Sequence, residues 1–194
     1  MAASVSYSFA FSMFFFFWST VSFADHCEHE NWDTLLHKQT TAENWYNSHT
    51  RQFNQMLEYY NTQIFITKEF DEEELMTLWA PHKDIFHRQL HKQIENAHYL
   101  SNILSQQTTL IAQQVDTISG LILAWKTMSI HCESQGSSSN YKATLHYITT
   151  SQSLSADLKK LKTKYHSLSQ QYLSEAQLIE KSKRNYKLKT AHLE

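Results

Sequence analysis

The chain of 194 residues carries 17 Lys and Arg against 19 Asp and Glu, a formal charge of −2, and it contains only two Gly and one Pro. This near-neutral charge argues against nucleic acid as a partner, because nucleic-acid-binding domains are usually basic. The scarcity of turn-forming residues argues against a sheet-rich fold. The sequence also lacks a Gly-rich phosphate loop and a Gly-x-Ser-x-Gly motif, so we expect no enzyme, no cofactor and no small-molecule substrate.

The N-terminal segment, residues 1–24, has the pattern of a secretory signal peptide. It contains no charged residue and no histidine, it has an apolar core rich in Phe, and it ends in Ser22-Phe23-Ala24, with small residues at the −3 and −1 positions of a cleavage site. A transmembrane anchor is the alternative, but the apolar run is about 15 residues where a bilayer needs roughly 20. We therefore expect a secreted or periplasmic protein with a single domain, 25–194.

The region after this segment predicts an all-α fold, namely an elongated antiparallel three-helix bundle with coiled-coil-like packing. Apolar side chains recur at alternating steps of four and three residues, which is the repeat of a coiled-coil seam. Interruptions of the repeat place long helices at about 31–66, 82–131 and 140–190, with a short helix near 71–80. The second and third long helices are of similar length and are joined by a short loop, so we expect them to form an antiparallel hairpin.

Each long helix carries its own seam. The first seam is Trp32, Leu35, Gln39, Ala42, Tyr46, His49, Phe53, Met56 and Tyr60. The second is Leu90, Ile94, Ala97, Ser101, Leu104, Thr108, Ile111, Val115, Ile118, Ile122 and Trp125. The third is Leu154, Leu158, Leu161, Tyr165, Leu168, Tyr172, Ile179 and Tyr186. Burial of each large apolar side chain contributes roughly 1.5–3 kcal/mol, and backbone ordering costs a comparable amount per residue, so no single helix is expected to be stable alone.

The chain has two cysteines, Cys27 and Cys132. In an exported protein such a pair predicts a disulfide, with an intermolecular bridge or two free thiols as the alternatives. If the first helix folds back with its turn centred near residue 74, residue 27 lies level with residue 121, and Cys132 is about 16 Å further along. We expect several extended residues before Trp32 to span this distance.

Charge is unevenly distributed along the chain. Residues 25–139 hold 7 Lys and Arg against 15 Asp and Glu, a net charge of −8, whereas residues 140–194 hold 10 against 4, a net charge of +6. The positive side chains concentrate at Lys159, Lys160, Lys162, Lys164, Lys181, Lys183, Arg184, Lys187 and Lys189. These basic residues either bind an anionic partner, such as lipid headgroups or acidic glycans, or neutralise the acidic first and second helices. We favour neutralisation.

The stretch from Ile118 to Trp125 is apolar on more than one face of a helix. Leu121, Leu123 and Trp125 either form the best-buried layer of the bundle or an exposed patch for a protein partner. Gly120 lowers helix stability at this point and permits a bend or a close helix approach. We favour the buried layer and keep the partner patch as a hypothesis.

The chain contains twelve histidines, and their placement suggests two kinds of chemistry. His87, His91 and His98 share one helix face at a spacing that could hold a metal ion, but the motif lacks the Glu of His-Glu-x-x-His and is weak. His49, at a seam position, is the best candidate for a packing change on protonation. We favour a polar, His-rich face and assign no metal site.

These features predict an exported, non-catalytic helical rod that acts as a protein-interaction or assembly component, for example in a secretion or surface apparatus or as a receptor ligand. The alternative is a peripheral binder of anionic membrane or glycan surfaces through the basic third helix. The sequence identifies neither the protein partner nor the oligomeric state.

Overall fold

The computed structural model describes Cys27 and residues 29–191, which form an all-α helical bundle without a β-strand. Its helices in chain order are α1 (His29–Thr62), α2 (Ile66–Glu69), α3 (Glu72–Thr77), α4 (Asp84–Ser134) and α5 (Ser138–Ala191). The helices α4 and α5, of 51 and 54 residues, pack closely against each other, and α1 lies against both. The predicted all-α bundle is therefore confirmed. The predicted signal peptide, residues 1–24, lies outside the described residues.

Helix α1 ends four residues earlier than predicted because the chain turns to bury Phe65. The Phe65 side chain is buried, and its ring centroid lies 4.7 Å from that of Tyr60. Helix α2 follows as a single turn, and both the N–H and the hydroxyl of Thr67 donate to the carboxylate of Glu175 on α5. The buried Glu175 side chain thus fixes this connection to the hairpin.

The connection between α3 and α4 explains why α4 begins later than predicted. Helix α3 is closed at its start by a capping box, in which the Glu74 N–H donates to Asp71 and the Asp71 N–H donates to the Glu74 carboxylate, each at 2.9 Å. After α3, His82 has a φ of 70°, a left-handed conformation that cannot be part of an α-helix. The helix therefore starts at Asp84 rather than at His82.

A Schellman turn around Gly136 joins α4 to α5. Gly136 has a φ of 67°, which glycine adopts without steric cost. The N–H of Ser137 donates to the carbonyl of Cys132, and the N–H of Gly136 donates to the carbonyl of Glu133, each at 3.0 Å. This tight closure lets α5 begin at Ser138, two residues earlier than predicted.

Small side chains allow the backbones of α4 and α5 to approach closely. The buried small residues on these two helices include Ala97, Ser101, Ser129, Ser155, Ser169 and Ala176. The Ser169 hydroxyl donates to the carbonyl of Ser101 at 2.9 Å, inside the interface. Because both groups are buried, a shift of one helix along the other would leave them unsatisfied. This pair therefore fixes the register of the hairpin.

Helix α1 packs on the hairpin through larger side chains. The ring of Trp32 contacts that of Trp125 edge-on, with centroids 5.4 Å apart. A buried polar contact fixes the register of α1, since the Ser151 hydroxyl donates to Gln39 Oε1 at 2.6 Å. Gln39, which interrupts the apolar pattern of the first seam, therefore has a structural partner on α5.

The structure joins Cys27 to Cys132 in a disulfide, with Cα atoms 5.4 Å apart. The predicted extended span before Trp32 is wrong, because α1 already begins at His29. The two pairs Cys27–Cys132 and Trp32–Trp125 place the centre of the fold-back near Trp79 instead of residue 74. The cysteines then lie level with each other, and no bridging segment is needed.

Candidate interaction surface

The structure separates the three residues of the hypothetical partner patch. Leu121 and Trp125 are only 6% and 0% exposed and belong to the core, whereas Leu123 is 65% exposed. The buried layer that we favoured is therefore confirmed for Leu121 and Trp125, and the patch hypothesis remains only for Leu123. The reason is the helical period, because Leu121 and Trp125 are four residues apart and share the buried face, whereas Leu123 is two residues from each and points to the opposite side.

Leu123 belongs to a second four–three repeat, on the solvent side of α4. We call it the outer seam, and it consists of Gln113, Asp116, Gly120, Leu123, Thr127 and Ile130, all exposed. Its largest apolar side chains, Leu123 and Ile130, are 65% and 69% exposed and lie seven residues apart. This repeat was not predicted, since small and polar residues occupy its other positions. The signal in the sequence is the heptad spacing of Leu123 and Ile130.

Gly120 is the central residue of the outer seam, and nothing inside the chain requires a glycine there. A Cβ atom added at this position would meet no atom within 4 Å. Glycine in a helix interior costs about 1 kcal/mol relative to alanine. The bend or close approach expected of Gly120 therefore has no intramolecular contact to explain it, and the space above its Cα is open to a binding partner.

A groove between α1 and α4 runs beside the outer seam. Gly120 and Ala124 lie on its α4 side, and Lys38 lies on its α1 side. His37 and His131 line it as well, whereas the described residues that line the groove include no carboxylate. This edge of the seam is consequently neutral to positive.

Two of the nine basic residues considered for an anionic partner form ion pairs with carboxylates. Lys160 Nζ lies 2.9 Å from Asp157 Oδ1 within α5, and Lys181 Nζ lies 3.0 Å from Glu72 Oε1 on α3. The hydrogen bond to Asp157 raises the pKa of Lys160. Within the described part of the chain, the other seven basic residues make no such pair. Among the described residues, neutralisation between helices, the interpretation that we favoured, is seen only at Lys181.

The basic residues do not form one surface. Lys160 and Lys164 line a hollow between α5 and α1. Lys183 lies on the α4 side of α5, where its Nζ is 3.0 Å from His91 Nε2. The residues 159–164 and 181–189 form two clusters about 30 Å apart along the helix axis. A flat anionic surface could not contact all of them at once.

The three histidines of the weak metal motif, His87, His91 and His98, contact other side chains. His98 Nε2 lies 3.0 Å from Glu180 Oε1 on α5. The rings of His87 and His91 pack against Trp79, each with a centroid distance of 5.4 Å. No group of three potential metal ligands occurs among the residues that the structure describes. These side chains therefore cover Trp79 and the α4–α5 boundary.

Two buried tyrosines of α5 face α1 and differ in their hydrogen bonding. The Tyr165 hydroxyl donates to the carbonyl of His49 at 3.0 Å, and the His49 ring stacks on Trp45 at 3.5 Å between centroids. The Tyr172 hydroxyl is buried without a hydrogen-bond partner among the described residues. Burial raises the pKa of Tyr165 to about 12, and burial together with the nearby tyrosines raises the pKa of Tyr172 to about 12.

These two tyrosines predict a loss of stability in alkali. Because folding favours the neutral phenol, both groups contribute fully below the unfolded-state pKa of about 10, and the contribution is lost as the pH rises towards about 12. Thermal unfolding between pH 9 and 12 should show this decline in stability, and the decline should be shallower when both tyrosines are replaced by phenylalanine.

At neutral pH, Tyr165→Phe should lower the free energy of unfolding by about 1 kcal/mol, whereas Tyr172→Phe should be neutral or stabilising. Equal effects would contradict the assignment of their hydroxyl contacts.

Comparisons with protein families, with curated proteins and with solved structures found no match to this chain. None of the helices in the described residues is both long and apolar enough to span a membrane.

Proposed function

We propose that the chain is an exported, non-catalytic helical rod that binds protein through the outer seam of α4. The observation that carries the proposal is the exposure of Leu123 and Ile130 on a four–three repeat, along a helix whose opposite side is already buried. Large apolar side chains exposed seven residues apart on one helix face suit packing against a partner helix. The opposite side of α4 is packed against α5, so the helix is formed before a partner arrives.

Export is supported by the N-terminal segment and by the disulfide. Residues 1–24 have the composition of a signal peptide, and the disulfide between Cys27 and Cys132 is of a kind that persists in oxidising compartments. A secreted or periplasmic location follows from both as part of the proposal.

A non-catalytic role is supported by the use of the buried polar groups. The carboxylate of Glu175, the most deeply buried acidic group described, accepts hydrogen bonds from Thr67 and lies 3.4 Å from the Gln93 side-chain nitrogen. Gln39 and Ser151 bind each other. These groups hold helices in register, and their polar atoms are bonded to other side chains of the same chain.

The second candidate, binding to anionic membranes or glycans through α5, has weaker support. Seven basic residues lack a carboxylate partner within the described part of the chain, which favours it. However, Lys160 and Lys183 face different neighbouring helices, α1 and α4 respectively. Only a part of the positive charge could therefore face one surface.

Site-directed photo-crosslinking tests the proposed function. A photoreactive phenylalanine analogue replaces Leu123 in the oxidised chain, which is incubated with the secreted or periplasmic fraction of the producing organism and illuminated. We expect discrete adducts of higher mass, because a partner packed on the outer seam lies within reach of this side chain.

The control carries the same analogue at Leu145, which is 42% exposed on α5 and lies outside the seam. Adducts from position 123 and none from position 145 support the proposal. Equal labelling at both positions, or no adduct from position 123, contradicts it.

A further inference from the structure

We infer that the partner of the outer seam is a second copy of this chain, so that two α4 helices cross antiparallel near Gly120 and Leu121. The inference rests on the proposed function, since it names the partner of the same surface. A homodimer with a two-fold axis needs a surface that is complementary to itself, in which residue i contacts residue j and j contacts i. The outer seam meets this condition in the size of its side chains and in its charges.

The size complementarity involves Gly120 and Leu123. In an antiparallel pair of helices, the first (a) position of the heptad on one helix lies opposite the fourth (d) position on the other. In the outer seam, Gly120 is an a position and Leu123 is a d position. Gly120 of each copy then lies opposite Leu123 of the other copy. The open space above Gly120, where a Cβ would meet nothing within 4 Å, receives a leucine that is 65% exposed in the single chain. The pair forms twice about the axis.

The same crossing brings opposite charges together. Asp116 and Lys126 are both exposed, and they are the only charged residues of α4 between Leu110 and Ile130. They lie ten residues apart, about 80° short of three full turns, so Asp116 lies in the outer seam and Lys126 lies directly beside it. Each is five residues from Leu121, so an antiparallel crossing centred there places Asp116 of one copy level with Lys126 of the other. Two ion pairs result, and no like charges on α4 face each other.

A second copy explains Gly120 better than a partner of unrelated sequence does. The glycine, the leucine that fills the space above it and the two opposite charges all lie within one segment of one helix. The crossing leaves Lys38 and the α1 groove at its edge, because Lys38 is on the α1 side of the seam. The bundle core is not altered, so the single chain remains folded when the dimer dissociates.

The first test is the mass of the purified, oxidised chain, measured by light scattering after size exclusion and by sedimentation equilibrium up to about 0.2 mM. We expect the mass of two chains.

Gly120→Leu should weaken dimerisation at least about tenfold, because the added side chain occupies the space that receives Leu123. The fold should persist, since nothing in the chain contacts this position. Gln89→Leu, the same side chain at an exposed position of α4 outside the seam, should dimerise like the unmodified chain.

A charge exchange tests the antiparallel crossing. Asp116→Lys alone and Lys126→Asp alone should each weaken the dimer about tenfold, because two ion pairs are replaced by repulsion. The double variant Asp116→Lys/Lys126→Asp should restore the dissociation constant to within about threefold of the unmodified value. Single variants that dimerise normally, or a double variant that is not restored, would overturn this register.

A chain that stays monomeric at 0.2 mM overturns the inference, as does a Gly120→Leu variant that dimerises normally. A different result would contradict the proposed function. A monomeric chain that crosslinks to another protein from position 123 retains the function and excludes the dimer, whereas the absence of any adduct from position 123 excludes both.

Discussion

The double substitution Leu161→Asp with Leu168→Asp is expected to unfold the bundle. The two leucines are only 4% and 3% exposed, and they lie two turns apart on the core side of α5. Burying an unpaired carboxylate costs several kcal/mol, and the whole stability of a domain is about 5–15 kcal/mol. Circular dichroism should show loss of most helical signal at 25 °C, or a thermal transition lowered by tens of degrees.

A matched pair of exposed leucines provides the control. Leu145 and Leu178, also on α5, are 42% and 44% exposed, so Leu145→Asp with Leu178→Asp should change stability by about 1 kcal/mol or less. If the core pair and the exposed pair had the same effect, the side of α5 assigned to the core would be wrong.

Removal of the disulfide should have the second-largest effect. The bond between Cys27 and Cys132 closes a loop with a sequence separation of 105 residues. A loop of about 100 residues corresponds to roughly 4.7 kcal/mol in the chain-entropy treatment. In a domain of this size, that amount corresponds to a decrease of about 10–20 °C in Tm. The variant is Cys27→Ala with Cys132→Ala, and the measurement is thermal unfolding by circular dichroism.

Reduction of the unmodified chain is the control for the disulfide prediction. It should lower Tm by a similar amount, and the reductant should have no effect on the double alanine variant. Non-reducing gels give an independent check. A band at twice the chain mass that disappears with reductant would show that the cysteines link two chains instead of closing a loop within one.

The sequence was sufficient to predict the hairpin of α4 and α5. Their seams follow the four–three repeat over about ten turns in α4 and about five turns in α5, and few other structures place apolar side chains at this spacing over such a length. The short loop predicted between residues 131 and 140 contains the turn at Gly136, and glycine is the residue that a helix C-terminus most often requires. The ends of the two helices differ from the prediction by one to three residues, since capping contacts such as Ser137 to Cys132 depend on three-dimensional geometry.

The connection between α1 and α4 could not be predicted in detail. The chain leaves α1 at Thr62 in order to bury Phe65, and no glycine or proline marks this point. The contact between Thr67 and Glu175 joins residues 108 positions apart, so local patterns carry no signal of it. The misplaced centre of the fold-back, and with it the expected extended segment before Trp32, followed from treating this connection as one simple turn.

The candidate interaction surface was only partly predictable. Leu123 was named together with Leu121 and Trp125 because all three are apolar, and hydrophobicity alone cannot separate the buried side of a helix from the exposed side. Burial in the structure makes the separation, and it then shows that Gly120 and Ile130 share the repeat of Leu123. The basic residues of α5 are exposed or half-buried, but their division between two neighbouring helices depends on the packing.

The position of the disulfide at the turn end of the hairpin determines how the molecule transmits force. Cys27 is tied to Cys132 beside the α4–α5 turn, whereas Ala191 lies at the opposite end of α5, about 75 Å away. Tension applied between residues 27 and 191 would pass through the disulfide and the turn directly into α5. Helices α1 and α4 would then carry no load, although they make up most of the chain between the two attachment points.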